Sequence, residues 1–314
     1  MTPRYTARRA ARRRLGRLPV DRSTTRRKAH LLAQQIDYTG RTAVVTGAAS
    51  GIGRSLAVAL ARRGADLAIS DVDSEGLAET AAMCRSARSK PAGRVETYRL
   101  DVADRAAVLA HAEEVAATFA AVHLLVNNAG VAVGATIEDT SFDDLDWLLG
   151  INLNGVINGT KAFLPHLIAS GDGHLANLSS VFGLIAPAYN GAYATAKFAV
   201  RGFTEALRQE MVMSGHPVKV HSVHPGGIRT NIARNARVND SARAATPGRD
   251  PAREFEKIAR TSPDAAATKI LAGIDADKAR ILIGPDAYLI AAIPRLIGAR
   301  YVDIFARVGR RAVS

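Results

Sequence analysis

Thr46-Gly47-Ala48-Ala49-Ser50-Gly51-Ile52-Gly53 is the stretch on which the fold turns. A short apolar run, residues 43–46, leads into it, and an amphipathic stretch, residues 52–63, leads out. Glycines let a backbone approach a pyrophosphate closely. A helix that begins there offers free N–H groups and the positive end of its dipole. Taken alone, such a turn is only a βα connection made of small residues. Strand before and helix after are the context that a phosphate-binding turn requires. The spacing is T-G-x-x-x-G-I-G rather than G-x-G-x-x-G.

Outward from this turn, short apolar runs alternate with longer amphipathic ones. The strand candidates are 43–46, 67–70, 95–100, 124–126, 175–178, 218–223 and 281–283. Helical patterns cover 52–63, 75–88, 104–119, 141–170, 191–214 and, less regularly, 262–275. This alternation predicts an α/β fold: a single-domain, Rossmann-like, doubly wound parallel sheet of about seven strands with helices on both faces. The central runs are apolar on both sides, as a sheet covered on both faces requires. Residues 229–262, rich in Arg, Asn and Ala, read as an irregular excursion of the kind that often forms a lid.

The turn resembles that of the short-chain dehydrogenase/reductase family, and the resemblance covers roughly residues 38–287. It implies an NAD(P)-binding fold, with Gly47, Ser50, Gly51, Ile52 and Gly53 around the cofactor diphosphate. Asp71 ends the second strand candidate, where an acid hydrogen-bonds the adenosine ribose and repels a 2′-phosphate. The family's NADP members place a basic residue at the position of Ser50. Both features favour NAD over NADP. Asp101-Val102 resembles the family's adenine-contacting pair. Asn127-Asn128-Ala129-Gly130 matches its N-N-A-G motif, which places Asn128, Ala129 and Gly130 beside the cofactor. Pro225-Gly226-Gly227-Ile228-Arg229-Thr230 carries its P-G motif, with Pro225, Gly226, Ile228 and Thr230 on the nicotinamide side.

Tyr193 and Lys197 stand at i and i+4, one turn apart on one helix face. That pair alone is common on solvated helices. Ser180, thirteen residues before Tyr193, completes a resemblance to the family's S…Y-x-x-x-K arrangement. Ser179 is one residue early for it, and Tyr189 lacks a lysine at i+4. The resemblance makes Tyr193 the acid/base, Ser180 the partner of the substrate oxygen, and Lys197 both a ribose ligand and the cation that lowers the phenol pKa. A free phenol titrates near 10, and a nearby ammonium favours phenolate. Asn152 looks like the family's fourth catalytic residue, holding a relay water through a local helix distortion; Asn154 and Asn158 are the rival placements. His221 and His224 read as strand residues. No second or third ligand is suitably spaced near them, so no metal site is expected.

The substrate pocket is expected from 131–135, 181–190 and 226–262. The first two are largely apolar, which favours a hydrophobic alcohol or ketone, while Arg229, Arg234 and Arg237 offer an acidic group a partner. The expected assembly is a homodimer or homotetramer.

The 314 residues hold 42 Lys/Arg and 29 Asp/Glu, a net of +13. That charge sits at the ends. Residues 1–36 carry eleven basic residues and one acid, residues 295–314 carry five and one, and the middle is near neutral at −1. A nucleic-acid partner is therefore not expected, because that needs a basic patch on the folded body. One cysteine, Cys84, excludes internal disulfides and cysteine-based zinc clusters. No apolar run reaches the roughly 18–20 residues of a membrane span, and no apolar segment follows the N-terminal arginines as in a secretory signal. A cytoplasmic location is expected, with peripheral membrane contact through the basic ends left open.

Three segments follow: a basic arm over 1–36 read as disordered, a catalytic domain over 37–287, and an amphipathic basic tail over 288–314. The arm is open to four readings: an over-extended reading frame, a targeting peptide, an anion-binding arm, or no role. The tail carries a helical apolar stripe interrupted by Pro294. Docking on the body or across a subunit interface is the favoured reading of it; contact with an anionic membrane surface is the other. Two other functional classes compete with the enzyme: a non-catalytic dinucleotide sensor, which loss of the Tyr or Lys would favour, and a nucleic-acid binder driven by the arm.

Overall fold

A computed structural model describes residues 35–88, 93–240, 242, 253, 257 and 259–313. The proposed arm therefore lies almost wholly outside the described residues, as does most of 241–258.

All seven expected strands form. They are β1 (Thr42–Thr46), β2 (Asp66–Asp71), β3 (Val95–Arg99), β4 (Leu124–Asn127), β6 (Gly173–Leu178), β7 (Val218–Pro225) and β9 (Arg280–Ile283). They build one parallel sheet in the order β3-β2-β1-β4-β6-β7-β9. The central strands are buried end to end, so their continuous apolar runs face helices on both sides. Two short strands not among the expected ones, β5 (Val133–Gly134) and β8 (Arg237–Val238), pair in parallel apart from the main sheet.

Four of the helices begin where a side chain caps them. Asp73 accepts from Gly76 N at the start of α2 (Ser74–Ala87), and Asp104 from Ala107 N at α3 (Arg105–Thr118). Ser141 accepts from Asp144 N at α4 (Phe142–Leu149). Each such bond satisfies one of the orphan donors of a first helical turn. After a π-helical turn at Gly150–Asn154 the chain continues as α5 (Gly155–Ala169). The long α6 spans Gly191–Met213, and α7 spans Pro263–Asp275 behind a Ser262 cap.

With α1 (Gly51–Arg62), helices α2 and α7 cover one sheet face through Leu56, Leu77 and Ile270. Helices α3, α5 and α6 cover the other through Val115, Phe163 and Leu207. Fully burying a side chain of this size contributes about 1.5–3 kcal/mol, and such residues recur along each of these helices.

The tail forms two helices, α8 (Pro285–Ile297) and α9 (Arg300–Val313). The break falls at Gly298, whose φ is +57°, and not at Pro294, which is carried inside α8. Glycine reaches that backbone region without steric cost. Among the described residues no helix is long and apolar enough to cross a membrane.

Candidate active site

The strand order reverses direction between β1 and β4, and open α/β sheets bind their ligands at such a switch point, at the carboxyl ends of the strands. The glycine turn enters it from β1. Gly47 has φ +65°, and a Cβ there would sit 2.7 Å from Ala129 Cα. A Cβ on Gly53 would strike the Gly47 carbonyl and lie 2.6 Å from Asn128 Nδ2. The Ser50 side chain makes no cap bond, so the first N–H groups of α1 are left for a ligand. This bare, uncapped turn fits a dinucleotide diphosphate.

Asn128 binds the two motifs together. Its Nδ2 donates to the carbonyls of Thr46 and Gly47, each at 2.9 Å. The Thr46 hydroxyl accepts from Asn128 N at 3.0 Å and Ala129 N at 3.1 Å. Thr46, whose place in the motif assigns it no contact with the cofactor, thereby fixes one motif to the other. Asn127 points into the sheet instead, donating to Asn177 Oδ1 at 2.8 Å.

At the end of β2, the Asp71 carboxylate accepts from Ala49 N at 2.9 Å and Asp73 N at 3.1 Å. It therefore stands against the turn. Arg54, the cation in the same turn, is engaged by the Ala49 carbonyl, the Gly76 carbonyl, Glu79 and Thr80. Asp101 closes a local turn by accepting from Ala103 N, and Val102 is buried against Gly155.

Ser180 follows β6 and stands close enough to the Tyr193 hydroxyl to lower its pKa. Its Oγ also accepts from Phe182 N at 3.1 Å. Ser179 turns away and donates to the Lys197 carbonyl at 2.8 Å, anchoring α6. Lys197 Nζ is buried, lies 5.5 Å from the Tyr193 ring centre and donates to the Leu178 carbonyl at 2.9 Å. Burial pushes the Tyr193 hydroxyl up to about 12, and the nearby Ser180 offsets only part of that. Burial likewise pushes Lys197 down to about 8. In the free chain, then, desolvation outweighs the pKa-lowering expected from the lysine.

The π-helical turn brings in Asn152, which is fully buried. Its amide pairs with both backbone groups of Val131: Oδ1 accepts from Val131 N and Nδ2 donates to Val131 O, each at 2.8 Å. Of the rival placements, Asn154 is exposed and Asn158 donates to the Val102 carbonyl. A Cβ on Gly130 would lie 3.3 Å from Asn152 Oδ1 and 3.7 Å from Lys197 Nζ, so this glycine keeps the space between them open. Single π turns inside α-helices recur at functional sites.

After β7, Gly227 N donates to Asp286 Oδ2 at 2.7 Å, and Asp286 also fills the space a Gly226 side chain would need. Thr230 packs its methyl 3.2 Å from the position of a Gly51 Cβ, and Ile228 bridges to Thr261. Pro225 ends the strand. Of the expected apolar pocket residues, Val133, Val181, Leu184 and Ile185 are core. Val131, Phe182 and Pro187 are half-buried, the Phe182 ring 6.1 Å from that of Tyr193. At the rim, Arg237 stacks 3.6 Å above the Trp147 ring and pairs with Asp144 at 2.9 Å, tying β8 to α4. Among the described residues no group of three or more His, Cys, Asp or Glu is placed to hold a metal ion.

A doubly wound parallel sheet with this turn at its switch point defines a dinucleotide-binding protein of the Rossmann type. The sequence specifies it further. The family model described as short chain dehydrogenase matches residues 41–241, and the chain belongs to that family. It is 48% identical over 271 residues to SadH of Mycobacterium tuberculosis, an oxidoreductase by name, covering 86% of this chain and 95% of that one. A short-chain dehydrogenase/reductase from Burkholderia phymatum, solved in complex with NAD, superposes with a TM-score of 0.74 at 32% identity, covering 87% and 96%. Levodione reductase superposes at 0.70 with 30% identity, covering 81% and 99%. The chain is an oxidoreductase of this family, and its cofactor is a nicotinamide dinucleotide.

Proposed function

We propose that the chain interconverts a hydrophobic secondary alcohol and its ketone with NAD(H), using Tyr193 as the proton donor and acceptor. The observation that carries this reading is the buried Tyr193 phenol with Lys197 Nζ 5.5 Å from its ring and Ser180 near its hydroxyl, while Lys197 and Asn152 flank Gly130 of the adjoining motif. The dinucleotide, when bound, supplies or accepts the hydride. Ser180 donates to the substrate oxygen and holds it within reach of the Tyr193 hydroxyl. A phenol pushed up to about 12 is protonated at neutral pH, ready to give its proton to a carbonyl oxygen as reduction proceeds. In oxidation Tyr193 must lose that proton. Lys197, still largely cationic near pH 7, is the charge that favours the phenolate. One Lys197 proton is held by the Leu178 carbonyl, which leaves the others for the ribose hydroxyls a bound dinucleotide would bring. Asn152, locked on Val131, positions a relay water.

Asp71 supports NAD over NADP: a carboxylate against the turn repels a 2′-phosphate, and Arg54 is already engaged. The NADP reading rests on Arg99, the exposed register partner of Asp71 on β3. Half-buried Val131 and Phe182 support an apolar substrate. A homo-oligomer is part of this reading.

Turnover of a panel of secondary alcohols and ketones, followed at the nicotinamide absorbance with NAD(H) and NADP(H), tests cofactor and substrate class together. Tyr193→Phe should abolish turnover and leave dinucleotide binding intact. Normal turnover in that variant would overturn the assignment and return the chain to the sensor class.

A further inference from the structure

We propose that α8 and α9 dock the protein on the surface of an anionic lipid bilayer. Around α9 the residues separate by kind. Tyr301, Ile304, Phe305 and Val308 recur at i, i+3, i+4 and i+7 and form one stripe; Arg300, Arg307 and Arg310 lie off it. A strongly charged face beside an apolar one, on a helix too polar as a whole to be buried, is the pattern of helices that lie in a bilayer interface.

The body does not cover this stripe. Val308 is 62% exposed and Ile304 43%, while on α8 Leu289 is 67% and Leu296 81% exposed. Tyr301 and Phe305 pack on each other, ring centres 5.7 Å apart, and α9 packs on α8. Aromatic side chains of this kind suit the headgroup boundary, where one end is apolar and the other wet.

Charge decides between occupants. Residues 295–314 hold five arginines and one acid. A second copy seated on the same face would set arginine rim against arginine rim, because a two-fold contact pairs a patch with itself. An anionic bilayer complements both the apolar stripe and its cationic edge, and arginine stems can lie along the acyl boundary with their heads among the phosphates. Helix α8 leaves the carboxyl end of β9, and Asp286 at its start accepts from Gly227 N at 2.7 Å. Docking therefore brings the edge that carries the candidate active site toward the lipid. The docking itself does not rest on the proposed reaction.

The test is flotation of the full chain with phosphatidylcholine vesicles containing about one-third phosphatidylserine, beside vesicles of pure phosphatidylcholine. Flotation is expected with the anionic vesicles and should weaken as salt rises. The exposed-site double variant Ile304→Asp/Val308→Asp should lose flotation while keeping its circular dichroism and its dinucleotide binding. Arg307→Glu/Arg310→Glu should weaken partition by about fivefold or more per arginine. No flotation of the unaltered chain overturns the proposal. So does flotation that the Ile304/Val308 variant leaves unchanged; if that variant also splits an oligomer in sedimentation, the stripe is a contact between copies.

Discussion

His224 Nδ1 lies 2.9 Å from the carbonyl oxygen of Ser180, and its Nε2 lies 2.9 Å from the Ser222 hydroxyl. A carbonyl only accepts, so Nδ1 carries the proton and Nε2 accepts from Ser222. Burial pushes this ring down to about 4, which keeps it neutral and the tautomer fixed at neutral pH. A histidine inside β7 thus acts as a strut for the backbone that presents Ser180.

His224→Leu should leave dinucleotide binding intact and lower kcat, because the Ser180 carbonyl loses its donor and shifts. Loss of a buried hydrogen bond costs about 1–3 kcal/mol. Gln, which keeps an N–H donor, should recover part of the rate. Equal kcat in the Leu and native proteins would remove His224 from the positioning of the site.

Gly53→Ala tests the turn. A methyl there meets the Gly47 carbonyl and Asn128 Nδ2, both fixed parts of the cradle rather than the ends of flexible chains. The turn must open, at a cost of about 1–3 kcal/mol of overpacking. A weaker dissociation constant for the dinucleotide and a lower Tm are expected together, read by titration and thermal melting. Gly202→Ala, at an exposed position inside α6, is the control: it should leave dinucleotide binding unchanged and raise Tm slightly, since alanine is favoured over glycine in a helix by about 1 kcal/mol.

The fold was legible because its signals are local. Each central strand is a short apolar run, and four of the helix starts have their own Asp or Ser cap. Ser180, Tyr193 and Lys197 stand out in the sequence only through the resemblance to the family's S…Y-x-x-x-K arrangement; the structure brings Lys197 Nζ to 5.5 Å from the Tyr193 ring. Asn152, Asn154 and Asn158 could not be separated on sequence, since the π turn that rotates them relative to one another leaves no compositional mark. Asp286 supports Gly227 from 59 residues away, and His224 supports Ser180 from 44 residues away; such pairs exist only once the topology is known. Pro294 is the louder signal for a break in the tail, yet the backbone there stays helical and the turn is made by Gly298. Spacing shows the lysine beside Tyr193 but not the burial of the phenol, which is the larger influence on its pKa.

Asp71→Ser should relax the cofactor preference. The carboxylate stands against the turn and repels a 2′-phosphate, while Arg99 lies opposite on β3. Removing the acid takes away the carboxylate and leaves Arg99 in register opposite it. The ratio of kcat/KM for NAD to that for NADP should fall by about tenfold or more, equivalent to about 1.4 kcal/mol. A ratio that does not move would show that Asp71 has no part in the discrimination.

Stability should fall steeply as pH drops from about 6.5 toward 4. His111, His174, His221 and His224 are all buried, and burial holds each down to about 4. In the unfolded chain each titrates near 6.5. Between these values the unfolded state binds protons that the folded state refuses, so stability is complete above the unfolded pKa and is lost as pH falls toward the folded one. Each ring contributes on the order of 1–3 kcal/mol across the window. His174 and His221 act together, their rings stacked 5.4 Å apart with nitrogens 3.1 Å apart, so one proton opposes the next. His111 separates this cause from general acid damage. Its ring sits 4.6 Å from Tyr98 and 5.7 Å from Phe163, and neither nitrogen has a hydrogen-bond partner among the described residues. His111→Phe therefore removes a proton acceptor and an unpaired polar edge from an aromatic cluster. Urea unfolding at pH 7 and pH 5 should show the variant gaining more over the native chain at pH 5. A gain that is the same at both pH values would mean that protonation of His111 does not contribute to acid unfolding.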